Sequence, residues 1–485
     1  MNKTLSKTIF KGAVWTGLQA VSAKVFSLVG QLILAWILVP DDFGNIALVY
    51  SISSFAVLMQ NFGLSDVLVS RGKSFKLLVP LAKTISIVSG VVAFLLSISF
   101  AIIGSFIYDN LQLFYLILIF SCAIPFNTLS VIPDAKLRID LRFKELSLLE
   151  IYNSFGKQLL TIIFALFSCG VYSFVLAPVL VSIFKFYYLN HLTGVKWLFT
   201  PTLYKWKHLV HNSSWGFIHS FFQRVIRQSD YLILGLFVSK SIVGVYYLAY
   251  SLSVQVVGLL VGSIAPVLFP TLMKIPKDNK LKIKSVLLEI TTYFALLGMP
   301  FAVWQAVSAD PLIRLFLNEK WIDAILIVQI LSLGIGFNVV GTLWEVALRL
   351  KTEFKSQALY SFLSATLFLT LVIPLSYFYQ MKGTAIGVTL YYFLITPVLL
   401  YKSFENFSVL FMEIIKPIIK YFLLSILIFG FYFLIVKFFK MNDLYSLVLN
   451  GLVAPLSYIL LVYKTDMKFK RLVEKIKENI KKEDF

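Results

Sequence analysis

Residues 12–38 read GAVWTGLQAVSAKVFSLVGQLILAWIL, and residues 212–238 read NSSWGFIHSFFQRVIRQSDYLILGLFV. The first stretch carries one charge, Lys24, in an apolar run long enough to cross a hydrocarbon core about 30 Å thick as a helix. Set against the second at an offset of 200, Trp15 falls on Trp215, Lys24 on Arg224 and Val25 on Val225. Leu32-Ile33-Leu34 then falls on Leu232-Ile233-Leu234. The register continues through Gly44 and Gly244, Leu48 and Leu248, Tyr50-Ser51 and Tyr250-Ser251, and Val67-Leu68 and Val267-Leu268. Apolar matches are common in membrane chains. A Trp, a cation inside a span and a Gly/Tyr-Ser set at one ungapped offset are not. Six spans separate the two copies, so both enter the membrane from the same side. That is a parallel repeat with its pseudo-axis along the membrane normal, an architecture of transporters.

Composition agrees. Of 485 residues 59% are hydrophobic and only 14% charged, against about 25% charged in soluble domains. Continuous apolar runs, without ten-residue alternation, point to helices rather than a membrane β-barrel. The expected fold is an all-α polytopic membrane protein of about fourteen helices, near 12–38, 43–61, 77–106, 111–133, 146–168, 170–190, 213–236, 241–263, 286–308, 324–347, 357–379, 383–401, 418–437 and 444–463. The expected organisation is an N-lobe over 1–200, a C-lobe over 201–401, two appended helices over 402–463 and a basic tail over 464–485. In that tail Val473, Ile476 and Ile480 follow the 3-4 spacing of a surface amphipathic helix drawn to anionic headgroups. After the basic segment Lys3 to Lys11 the apolar stretch runs to Pro40, too long for the core of a cleaved signal peptide, and reads as the first span.

Orientation follows from Lys and Arg in the connections. The N-terminus, alternate connections and the tail hold 31 basic residues, and the opposite connections about 6. Both termini are therefore expected in the cytoplasm. The net charge of +20 is a topology signal spread over these short loops, and nucleic acid is not implied.

Charges inside the spans are costly. Lys83 and Lys185 lie within reach of an inner end, where their ammonium groups snorkel to the headgroups. Lys24, Lys157, Arg224 and Arg227 lie deeper. A charge at mid-membrane costs about 2.5–3.5 kcal/mol on insertion scales, so these side chains face protein or a water-filled cavity. His219, Gln223, Arg227 and Asp230 follow a 4-4-3 spacing and share one stripe of the seventh span, with Arg224 beside it. In the first span Lys24, Ser27 and Gln31 form a shorter polar stripe. A cavity with surplus positive charge implies an anionic cargo, because Arg and Lys suit phosphate oxygens through charge-assisted hydrogen bonds. Arg227 and Asp230 can also be read as a pair that neutralises itself to hold the bundle. Asp230, Glu150 and Asp41 are candidates for a coupling ion, with Glu289 and Glu345 nearer the inner ends.

Other chemistry lacks support. Cys122 and Cys169 sit in apolar runs, four histidines are scattered, and no zinc-type motif occurs, so no metal or cofactor is expected. Gly72-Lys73-Ser74 looks like the end of a phosphate-binding loop, but Val67 stands where its first glycine is required. Asp41-Asp42 reads as a helix-start feature rather than a catalytic dyad.

The segment Lys11–Arg71 resembles the opening of Wzx-type polysaccharide flippases of the multidrug/oligosaccharidyl-lipid/polysaccharide (MOP) superfamily. The matching features are Trp15, Pro40–Asp42, Phe43-Gly44 and Gly63-Leu64-Ser65. The resemblance implies a V-shaped, MATE-like bundle of two six-helix lobes plus two C-terminal helices that alternates between inward-open and outward-open states. The implied cargo is an undecaprenyl-diphosphate-linked oligosaccharide, flipped across the bacterial cytoplasmic membrane for surface polysaccharide biosynthesis. The implied partners are that lipid-linked substrate, membrane lipids, and a polymerase and glycosyltransferases of the same pathway. The cavity-lining role of the family's cations falls on Lys24, Arg224 and Arg227, with Gln31, Gln223 and Lys157 as further cargo contacts. The family's outer acidic position corresponds to Asp41. Two other readings remain open at this point. One is a multidrug antiporter of the same fold, which usually needs carboxylates for cationic drugs. The other is a membrane polymerase or ligase, which needs a larger outer loop than Ala309–Asp323.

Overall fold

A computed structural model describes residues 3–60, 64–70, 72, 75–195, 214–255, 279–351, 353–467 and 469–470. Val267-Leu268, Gly63 and the tail positions Val473, Ile476 and Ile480 lie outside these residues. Among the described residues every regular element is a helix. In order these are α1 (Lys3–Ile37), α2 (Pro40–Val57), α3 (Leu64–Ser70), α4 (Phe75–Ile107), α5 (Leu111–Ser121), α6 (Ala123–Ile139), α7 (Phe143–Leu166) and α8 (Tyr172–Thr193). Then follow α9 (Ser214–Phe237), α10 (240–255), α11 (Lys280–Phe316), α12 (Ala324–Gly341), α13 (Leu343–Lys351) and α14 (Phe354–Phe404). The last are α15 (Phe411–Phe438), α16 (Asp443–Val448) and α17 (Ala454–Thr465).

Ten stretches among the described residues are long and apolar enough to cross a membrane. α7 and α9 are not among them because of the polar residues they carry, including Glu150 and Lys157 in α7 and Arg224, Arg227 and Asp230 in α9. Both are packed into the bundle instead: α7 lies against α1 and α8, and α9 against α14 and α2. This is an all-α polytopic membrane protein.

The long α14 is two limbs. At Gln380 the backbone turns to φ 50°, ψ −133°, the left-handed side that non-glycine residues rarely adopt. Beyond it the chain doubles back. Ser376 Oγ and Thr384 Oγ1 meet at 2.8 Å across the turn, and a Cβ on Gly383 would overlap the Leu375 carbonyl. The limbs correspond to the expected spans 357–379 and 383–401.

The helices pack in two sets. α1 pairs with α7, α4 with α5 and α6, and α8 with α6 and α7; in the later half α9 pairs with α14, α11 with α12 and α15, and α12 with α14. The repeat is visible in side chains. The Lys144 ammonium of α7 lies 5.6 Å from the Trp15 ring of α1, and the Lys355 ammonium of α14 lies 6.0 Å from the Trp215 ring of α9. Where α2 crosses α10, Gly44 approaches the Lys240 carbonyl and Gly244 approaches the Pro40 carbonyl so closely that a Cβ on either would overlap it. Pro40 and Lys240 are themselves 200 residues apart, so the crossing is a pseudo-two-fold. Small residues at such crossings let backbones approach, which matters where packing rather than hydrophobicity drives helix association.

One expectation about charges is corrected. Lys83 is 8% exposed and buried rather than snorkelling. Lys185 reaches Glu150 on the adjacent helix α7 at 2.5 Å.

Candidate functional site

The end of the bundle bearing the 38–39 and 238–239 connections is closed by interlocked contacts. Phe43, fully buried on α2, packs edge-on against Phe174 of α8 and Trp321 at centroid distances of 5.3 and 5.0 Å. Trp321 belongs to the short Glu319–Trp321 turn after α11. Its Nε1 donates to the Ala35 carbonyl at 2.9 Å. Lys320 Nζ donates to the Leu38 and Trp36 carbonyls at 2.6 and 3.3 Å, and Trp36 Nε1 donates to the Phe316 carbonyl at 2.8 Å. The last carbonyls of α1 have no partners within the helix, and a cation is favoured at a helix C-terminus. Burial pushes the Lys320 ammonium below its ordinary pKa, with Asp42 opposing the shift. Asp42 accepts from the Val39 amide at 3.4 Å, which makes it a helix-start residue as expected. Asp41 sits 3.7 Å from Lys240 at this same end, remote from the deeper cations.

One layer further in, polar side chains tie the halves together. Ser251 Oγ and Gln255 Nε2 of α10 both donate to Gln31 Oε1 of α1, at 2.7 and 2.5 Å. Reciprocally, Ser51 Oγ of α2 donates to Gln228 Oε1 of α9 at 3.1 Å. Ser51 and Ser251 are matched by the repeat, so each copy lends a serine to the other. Gln31 is thus an inter-half tie, with its oxygen occupied by two donors.

The cations lie on the other side of this belt. At 1.5 Å per residue, Lys24 is about 10 Å along α1 from Gln31, and Arg224 about 6 Å along α9 from Gln228. Lys24 and Arg224 are half-buried and Arg227 is exposed. None of the three makes a hydrogen bond or ion pair to a described residue. Asp230 does not neutralise Arg227: it is buried, and accepts from the Tyr246 hydroxyl at 2.9 Å and the Tyr231 amide at 3.0 Å. Lys157 lies over the Tyr50 ring at 5.5 Å. Glu150 is committed to Lys185.

Of these residues the structure brings Arg227 and Gln223 into one cavity. It has a volume of about 370 Å³ and lies between α9, α10, α12, α13 and the second limb of α14, with Trp344, Glu345, Tyr391 and Tyr392 in its wall. The wall is braced from behind. His219 Nδ1 meets Ser361 Oγ at 2.6 Å, Gln223 Nε2 donates to the same oxygen at 3.4 Å, and His219 Nε2 stands 3.9 Å from Glu345. Helical spacing puts His219 on the stripe with Gln223 and Arg227, whereas the tyrosine wall leaves no local signal, because Tyr391 and Tyr392 lie far along the chain.

This arrangement is the fold of MOP-superfamily transporters. The chain superposes on the lipid II flippase MurJ, inward closed conformation, with a TM-score of 0.76 at 15% identity, covering 93% of this chain and 99% of that one. It superposes on a multidrug resistance MATE family transporter in the inward-facing conformation with a TM-score of 0.63 at 12% identity, covering 81% and 98%. Residues 33–326 match the family described as polysaccharide biosynthesis protein, and the chain belongs to that family. It is 24% identical over 340 residues to the teichuronic acid biosynthesis protein TuaB of Bacillus subtilis, covering 68% of each chain. It is 25% identical over 412 residues to the lipopolysaccharide biosynthesis protein WzxC of Escherichia coli, covering 81% of this chain and 79% of that one. The resemblance read from Lys11–Arg71 is borne out.

Proposed function

We propose that this protein flips an undecaprenyl-diphosphate-linked oligosaccharide from the inner to the outer leaflet of a bacterial cytoplasmic membrane, for surface polysaccharide biosynthesis. The observation that carries this reading is the set Lys24, Arg224 and Arg227: three cations inside a membrane bundle with no ion partner among the described residues. An unpaired charge is tolerated there only beside water or an anionic cargo. The diphosphate loses hydration as it enters the bundle, and guanidinium and ammonium groups replace it. The glycan occupies the hydrated interior while the prenyl chain stays in lipid.

In this reading the 1–200 and 201–401 lobes rock about the Gly44–Gly244 crossing, both termini are cytoplasmic, and the clasped end at Lys320 and Trp321 faces outward. The cargo comes from glycosyltransferases and passes to a polymerase. Asp230, buried and held by a tyrosine, is the coupling-ion candidate. The membrane potential is a second energy source, worth about 2.3 kcal/mol per charge per 100 mV.

The test is complementation of an export-deficient host whose missing flippase handles the same glycan. Lys24→Ala and Arg224→Ala are each expected to lower surface glycan about 10- to 100-fold while the protein still inserts at the wild-type level. Normal export by both variants, or strong export of cationic dyes by the wild type, overturns the reading.

A further inference from the structure

The 370 Å³ cavity beside Arg227 has a wall chemistry that a diphosphate does not explain. Its volume falls within the roughly 300–1,000 Å³ of ligand pockets. One side is aromatic: Tyr391 and Tyr392 pack with ring centroids 5.1 Å apart, beside Trp344, which His219 holds edge-on at 5.8 Å. The other side is polar and under-used. The Asn338 carboxamide has no hydrogen-bond partner among the described residues. Gln223 uses only its nitrogen, in a long bond to Ser361.

The charges narrow the ligand. Glu345 lines the cavity, with the Arg349 guanidinium at 3.4 Å answering its charge. Arg227 is left as the surplus charge. A dense anion such as a diphosphate would meet the Glu345 carboxylate and leave the aromatic side unused. A cationic drug would meet Arg227. A sugar ring suits both sides: its C–H faces cover aromatic carbon, and its hydroxyls donate to carboxylate and amide oxygens and accept from amide nitrogens. A carboxylate on that ring matches the guanidinium fork in bidentate fashion.

We propose that this cavity is a saccharide subsite for one acidic sugar unit, with the sugar carboxylate on Arg227 and its hydroxyls on Asn338, Gln223 and Glu345. The proposal rests on the reading of the chain as a carrier of lipid-linked glycan. It adds that the later half of the protein reads the sugar, while Lys24 and Arg224 hold the phosphate.

The experiment uses the full chain, purified in detergent, and saturation-transfer NMR, which detects affinities in the millimolar range. The probes are glucuronate, glucose, inorganic pyrophosphate and farnesyl diphosphate. Glucuronate is expected to bind saturably and about tenfold more tightly than glucose, the scale of one charge-assisted hydrogen bond. Arg227→Gln should erase that preference while glucose binding persists, and Arg227→Lys should retain part of it. Asn338→Leu should weaken both sugars. Should that variant fold poorly, Asn338→Asp, nearly the same shape, should weaken glucuronate alone.

Absence of glucuronate binding, equal binding by Arg227→Gln, or displacement of glucuronate by pyrophosphate at lower concentration would each overturn the subsite. Farnesyl diphosphate separates the two readings. If it binds in a Lys24- and Arg224-dependent way while glucuronate does not bind, the subsite is wrong and the transport reading stands. If neither ligand binds, both fall.

Discussion

Gly44 and Gly244, 200 residues apart, each lie against the carbonyl that begins the other's helix: Lys240 for Gly44 and Pro40 for Gly244. The contact is backbone on backbone, so no flexible side chain is present to yield to a larger residue. Gly44→Val is therefore expected to push the two halves apart at this end. The measurement is labelling of Leu38→Cys by a membrane-impermeant maleimide, with Cys122 and Cys169 replaced by serine. Leu38 is 4% exposed, and labelling should accelerate at least about tenfold, the equivalent of about 1.4 kcal/mol in the closing equilibrium. An unchanged labelling rate would remove the crossing from the gating account.

Lys24 and Arg224 should behave as equals. Each alanine variant is expected to lower export about 10- to 100-fold, the range set by losing one charged hydrogen bond worth about 1.5–3 kcal/mol. Arg224→Lys should recover part of the loss, because the charge survives while the two-pronged geometry does not. Surface glycan per inserted molecule is the quantity to measure.

The Lys320 clasp makes a separate prediction. Lys320→Met keeps the length of the side chain but leaves the Leu38 and Trp36 carbonyls without their donor. It should cost the closed state about 1–3 kcal/mol and lower the melting temperature of the detergent-purified protein. Trp321→Phe removes the bond to Ala35 and also part of the fully buried ring packed on Phe43, so it should lower the melting temperature as well. If Lys320→Met melts like the wild type, the clasp contributes no stability.

Asp230 separates ion coupling from structure. Asn keeps the side-chain shape: its single oxygen can still accept from the Tyr231 amide, and its NH2 can donate to a Tyr246 hydroxyl turned to accept, so Asp230→Asn should fold normally. If the carboxylate carries the coupling ion, that variant loses gradient-driven export in vesicles although cargo still binds. Tyr246→Phe should instead destabilise the protein by about 1–3 kcal/mol, the cost of stripping a partner from a buried polar group. Equal gradient-driven transport by Asp230→Asn and wild type would confine Asp230 to a structural role.

Much of the fold was legible because membrane spans declare themselves by length. The repeat added the relation between α1 and α9 that apolar runs alone do not contain. Tertiary pairings were less accessible. Glu150 and Lys185 sit 35 residues apart on neighbouring helices, and nothing in their local spacing marks them as partners, so Glu150 looked available for an ion. Gln31 read as a cargo contact because a polar residue inside a span faces some interior. The donors that claim it, Ser251 and Gln255, come from the other half of the chain. Arg227 and Gln223 were legible as a pair through helical periodicity, whereas the aromatic side of their cavity required α14 to be folded back on itself.

That fold-back at Gln380 has a mechanical consequence. The first limb of α14 holds α9 through Ser361, and the second limb supplies Tyr391 and Tyr392, so α9 and both limbs form a single stiff block. When such a block swings, the chamber beside Arg227 travels as an intact compartment. A passenger seated there would change the side of the membrane it faces without changing its seat.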